Sequence, residues 1–179
     1  MADAVTRRPL GYWSLFLALS AAWFFVRLLP LDTLPAAFPG PDLMLCLTFA
    51  WVLRRPGYMP APLVAAVFLL EDLLLMRPPG LWALLAVLGT EFLRNRQGLL
   101  REVTFPAEWA LVAAVGFALL LAERTVLFLL IVPQPVLGQD LLQMIFTMAL
   151  YPLVVLVSHF ILKVRKPATG EVDALGRPL

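Results

Sequence analysis

The chain has 179 residues, 61% of them hydrophobic, with a mean hydropathy of +0.88, 15% charged residues and a net charge of +2. Ordinary soluble domains hold about 45 to 50% apolar residues, so this composition is that of an integral membrane protein. It leaves no basic stripe with interleaved aromatics for nucleic acid, and a single cysteine, Cys46, with a lone His159 permits no internal disulfide and argues against a zinc or haem site.

Arg7 and Arg8 followed by an apolar run resemble the start of a secretory or twin-arginine leader. Several further apolar runs follow in place of a soluble chain, so residues 11–29 read as the first membrane span, preceded by a short segment, residues 1–10. The proline-rich stretch 30–41 cannot be regular helix and forms a connector. A second run, 42–53, reaches only about 18 Å as helix, short for a span. It therefore sits inside the bundle, lies at a thinned region, or has irregular chain completing the crossing.

The third run, 60–76, contains two adjacent carboxylates, Glu71 and Asp72, and stops at Arg77-Pro78-Pro79-Gly80. A fourth, 81–93, ends before a polar loop over 94–102, and a fifth, 106–132, is interrupted by Glu123 and Arg124. The sixth, 141–162, contains Pro152, which should kink it. The result is an all-α membrane protein: a compact bundle of about six transmembrane helices over 11–162, with a flexible polar tail over 163–179.

If all six runs cross, the N-terminus, the second and fourth loops and the tail share one side and hold 11 of the 14 lysines and arginines. By the positive-inside rule both termini are then cytoplasmic. With that topology Arg27, Glu71, Asp72, Glu123 and Arg124 fall at one depth near the external side. An ionisable group inside a membrane segment needs a partner, so these five are expected to form an ionic layer in which Arg27 and Arg124 neutralise some of the three acids. Such a layer holds helices together, or forms a polar cavity or docking surface.

In the fifth run Ala110, Ala114, Ala118 and Ala122 recur every four residues, with Gly116 read as close to the same face. Small residues at this spacing allow close helix approach in lipid, within the protein or against a partner. Arg94, Arg96 and Arg101 around the fourth loop are a candidate cytoplasmic contact, with Glu91 and Glu108 read as part of the same solvated boundary. Ser14, Ser20 and Ser158 lack a context for activation, and neither a Walker loop nor a dinucleotide fingerprint is present. No enzyme and no cofactor is expected.

Residues 41–96 resemble the central region of the MreD family, the rod shape-determining membrane proteins of bacteria. The resemblance rests on Pro41 and Asp42 opening the second run, Asp72 within the third, Gly80 followed by Ala83 and Leu84, and Tyr151-Pro152 in the last. It departs where Ala65, Ala66 and Leu69 stand in place of glycines before the acidic residue. The resemblance implies a fold similar to the substrate-binding membrane components of energy-coupling-factor transporters. It also implies a non-enzymatic inner-membrane scaffold or regulator of cell elongation and peptidoglycan synthesis, working beside MreC, MreB, RodA and its penicillin-binding transpeptidase. The alternative is a small-molecule-binding membrane component of a transporter.

Overall fold

A computed structural model describes residues 2–29, 40–100 and 103–160. Among these the regular structure is all helical, with six α-helices, α1 Ala2–Leu28, α2 Leu43–Arg54, α3 Ala61–Leu74, α4 Leu81–Leu100, α5 Phe105–Leu129 and α6 Leu137–Phe160, and a short 3-10 turn at Pro56–Tyr58. Each apolar run corresponds to one helix, with two differences from the expected limits. The first helix begins at Ala2, so it takes in nearly all of residues 1–10. The expected loop at 94–102 is helical as far as Leu100, because its Arg, Asn and Gln residues contain no helix breaker before Gly98, and the helix tolerates that glycine. Residues 163–179 lie outside the described residues.

The helices run alternately between two ends of the bundle, named here for Asp72 and Glu108. The turns after α3 and α5 and the start of α2 meet at the Asp72 end. The end of α2 and the start of α5 meet at the Glu108 end. Segments Leu10–Leu28, Phe105–Leu129 and Leu137–Phe160 are long and apolar enough to cross a membrane.

Helix α2 occupies the centre. Eleven of its twelve residues, Met44 to Arg54, are buried, so the longer helices surround it along nearly its whole length. Trp51 is fully buried against Phe16 and Tyr12 of α1, with ring centroids at 5.9 and 6.1 Å, and Tyr12 stacks on Tyr58 at 4.1 Å. The outer surface is apolar too, with Leu69, Leu70, Leu73, Leu121 and Leu153 exposed. Lipid tails satisfy such side chains as well as a protein core does, so the helices are held together by close fit and polar contacts.

Glycine supplies that close fit. A Cβ on Gly89 of α4 would stand 2.8 Å from Leu119 Cδ1 and 3.2 Å from Phe49 Cζ, and one on Gly116 of α5 would stand 2.7 Å from Met148 Cε. The alanine stripe does not perform this role inside the chain: Ala110, Ala114 and Ala118 are exposed and Ala122 is half-buried. Gly116 lies two residues from Ala114 and Ala118, about 200° around the helix, on the opposite face. The buried face of α5 is formed by Val112, Val115, Gly116, Leu119 and Leu120.

Pro152 has no N–H, so the carbonyl of Met148 one turn earlier lacks its helical donor. Trp109 of α5 supplies it, its indole N–H reaching Met148 O at 2.8 Å. The defect in α6 becomes a link to α5.

Candidate functional site

Asp72 is fully buried, and its Oδ2 accepts hydrogen bonds from the backbone N–H groups of Gly80 at 3.0 Å and Ala83 at 3.2 Å. Those are first-turn donors of α4, which have no acceptor within their own helix. A carboxylate from α3 thus caps α4, favoured by the positive end of the helix dipole. The backbone of Asp72 is used as well: its carbonyl accepts from Arg77 N at 2.9 Å, closing α3 over Met76, which has φ 54°. Gly80 at φ +88° then turns the chain into α4. Residues 72–83 form one hydrogen-bonded corner.

Glu71, one residue earlier, is 1% exposed, and neither carboxylate oxygen has a hydrogen-bond partner among the described residues. Asp42, Arg77, Arg27 and Asp72 lie within electrostatic reach. Asp42 caps α2 through Oδ1, which accepts from Leu45 N at 2.9 Å, while its Oδ2 accepts from Trp82 Nε1 at 3.3 Å. Its backbone N–H donates to Thr147 Oγ1 at 2.9 Å, and the thiol of Cys46 donates to Thr147 O at 3.1 Å, tying α2 to α6.

Arg27, Glu71, Asp72, Glu123 and Arg124 all lie toward the Asp72 end, but the expected pairings of Arg27 and Arg124 with the three acids are not formed. Arg27 donates to the carbonyls of Gly40 and Pro41 at 3.3 Å and lies over the Trp23 ring. Arg124 pairs with Asp140 across the α5–α6 turn and donates to Pro135 O, not to any of the three acids. Short-range geometry explains both: each arginine finds acceptors close by in sequence. Glu123 has no ion pair or hydrogen bond among the described residues; the charges acting on it are those of Arg77, Asp140, Asp72 and Asp42. Several of these groups line a cavity of about 280 Å3 between α4, α5 and α6.

A second polar cluster lies at the Glu108 end. Glu108 of α5 is 1% exposed and pairs with Arg54 Nη1 of α2 at 3.0 Å, and the same Oε1 accepts from Tyr151 Oη of α6 at 3.0 Å. Arg54 also donates to Ala50 O, and Gln97 of α4 reaches Leu53 O at 3.3 Å. Sequence reasoning places Glu108 and Arg54 at loop boundaries. The sequence does carry a signal for Glu108, since it stands alone in the apolar run FPAEWALV with no neighbouring base. Sequence reasoning also misses Asp140 as the partner of Arg124.

Of the cytoplasmic candidates, Arg94 is engaged within the chain, with Glu91 at 3.0 Å and with the carbonyl of Met59. Arg96 is exposed and lies over the Phe92 ring, and Arg101 lies outside the described residues. The serines serve the fold: Ser14 and Ser20 bond back to helix carbonyls, and Ser158 accepts from Trp51 Nε1 at 3.2 Å.

No family model, curated protein or solved structure matches the chain.

Proposed function

We propose that the chain is a non-enzymatic scaffold or regulator of the bacterial cell-elongation complex, of the MreD kind, which binds MreC and links it to MreB, RodA and the penicillin-binding transpeptidase. In this reading all six helices cross the inner membrane and both termini are cytoplasmic, which the sequence distribution of lysines and arginines, 11 of 14 in the N-terminus, the second and fourth loops and the tail, supports. The observation that carries the proposal is the use made of Asp72, one of the residues on which the MreD resemblance rests. Its carboxylate caps the next helix, and Glu108 and Arg54 similarly join α2, α5 and α6. Polar groups devoted to joining helices suit a protein whose task is to present a fixed shape to partners. The exposed alanine face of α5 and exposed Arg96 are surfaces open to such partners within the membrane and at its cytoplasmic side.

A second reading, a small-molecule-binding component similar to those of energy-coupling-factor transporters, is favoured by the polar cavity at the Asp72 end. Pull-down of the tagged full chain from detergent-solubilised bacterial membranes separates the two. The scaffold reading expects MreC together with cell-wall synthesis proteins in the mass spectrum. Recovery of an ATPase pair and a co-purifying vitamin without MreC overturns it.

A further inference from the structure

We propose that the cavity at the Asp72 end binds a small zwitterion, its ammonium group against Glu123 and its oxyanion against Arg77. The cavity, about 280 Å3, is of a size for a small polar molecule or a headgroup rather than a drug-sized ligand. Most of its polar lining is already engaged with the protein. Asp42 holds Leu45 N and Trp82 Nε1, Arg124 holds Asp140, Gln134 donates to Arg124 O, and the Thr147 hydroxyl donates to Gln143 O.

Three lining groups have no such engagement among the described residues: the Glu123 carboxylate, the Arg77 guanidinium apart from the Trp82 ring 6.0 Å away, and the Gln143 amide. Arg77 and Glu123 line the same cavity, yet the two form no ion pair. A carboxylate and a guanidinium that line one cavity without pairing with each other are matched by a molecule carrying both opposite charges. A simple cation would meet Arg77, and a simple anion would meet Glu123 with Asp42 and Asp140 behind it. No group of three His, Cys, Asp or Glu among the described residues is arranged to hold a metal ion, which favours an organic ammonium. Arg77 presents a planar fork of donors suited to a carboxylate or a phosphate. The Gln143 amide can serve either end of the ligand.

Two sources share this chemistry, an ethanolamine phospholipid headgroup and a free amino acid, and they are separated by the probe. The site does not rest on the scaffold proposal: ligand binding by the purified chain reads the site, and MreC capture by the same variants reads the scaffold role separately. The test is calorimetric titration of the purified full chain in detergent with glycerophosphoethanolamine and, separately, with L-alanine. Wild type is compared with Glu123→Gln, Arg77→Gln and the distant control Arg96→Gln, each first checked for an unchanged thermal unfolding midpoint. Removing one charged contact weakens binding by about 10- to 100-fold. Binding of glycerophosphoethanolamine that falls by this factor in both cavity variants and not in the control supports a headgroup site. The same pattern with L-alanine supports a free solute. Binding of neither probe, or binding that survives either cavity substitution, overturns the proposal.

Discussion

Glu71 and Asp72 are neighbours of the same charge, both buried, and the structure assigns them opposite energetic roles. Asp72→Ala removes the acceptor of the Gly80 and Ala83 N–H groups. A buried donor left without an acceptor costs about 1 to 3 kcal/mol, and Gly80, half-buried, recovers part of its loss, so the substitution should destabilise the bundle by about 2 to 4 kcal/mol. Asp72→Asn keeps an acceptor oxygen and loses the charge, so its cost should be about 1 kcal/mol, near that of a lost charge at a helix N-terminus. Glu71 has no hydrogen-bond partner to abandon among the described residues. Glu71→Met, with an apolar side chain of similar length, should therefore leave stability unchanged or raise it by about 1 to 4 kcal/mol, the range seen when buried ionic groups give way to apolar ones. The assay is equilibrium unfolding of the full chain in mixed micelles, followed by tryptophan fluorescence. Equal losses for Asp72→Ala and Glu71→Met would refute the assignment, as would a loss for Asp72→Ala under about 0.5 kcal/mol, the level of an ordinary surface substitution. The same geometry predicts that exchanging Asp72 and Arg124 does not rescue either single change, because the two are not partners.

At the other end, Glu108→Met leaves Arg54 buried with its main counter-charge removed and should cost about 3 to 5 kcal/mol, while Arg54→Met with Glu108→Met should recover most of that loss in the same unfolding assay. Gly116→Val drives a branched side chain into Met144 and Met148 and should cost about 1 to 3 kcal/mol, whereas Ala114→Val on the exposed face should stay within about 0.5 kcal/mol. If Ala114→Val proves the more damaging in the isolated chain, the helix face has been misassigned. Trp109→Phe orphans the Met148 carbonyl and should cost about 1 kcal/mol; in a Pro152→Ala background, where the substituted position regains a helical N–H, a double-mutant cycle should show that cost shrinking.

Composition and hydropathy alone mark six apolar runs, three of which form helices long and apolar enough to cross a membrane, and their limits predict the six helices to within a turn at most ends, since burial in lipid or in a helix bundle is written directly as apolar side chains. Length alone left the short second run inside the bundle, at a thinned region or completed by irregular chain, and its burial in the structure selects the first. Its surroundings were not legible, because a wholly apolar run carries no face to mark its neighbours. That Arg27, Glu71, Asp72, Glu123 and Arg124 lie toward one end of the bundle follows from the alternation of the runs, yet their partners do not. Asp72 is held by backbone N–H groups, which every residue but proline carries and which leave no trace in the residue string. Glu108 and Arg54 stand 54 positions apart and meet only because α2 and α5 converge at one end. The alanine stripe is a true helical period, but periodicity fixes only which residues share a face; the positions of α4 and α6 decide that the glycine face of α5 is turned inward and the alanine face outward, which leaves the packing role to Gly116 and only the partner role open to the alanines. Local chemistry and solvent set what each segment is, while distance-dependent pairing, which requires the segments to be brought together, determines what each charge does.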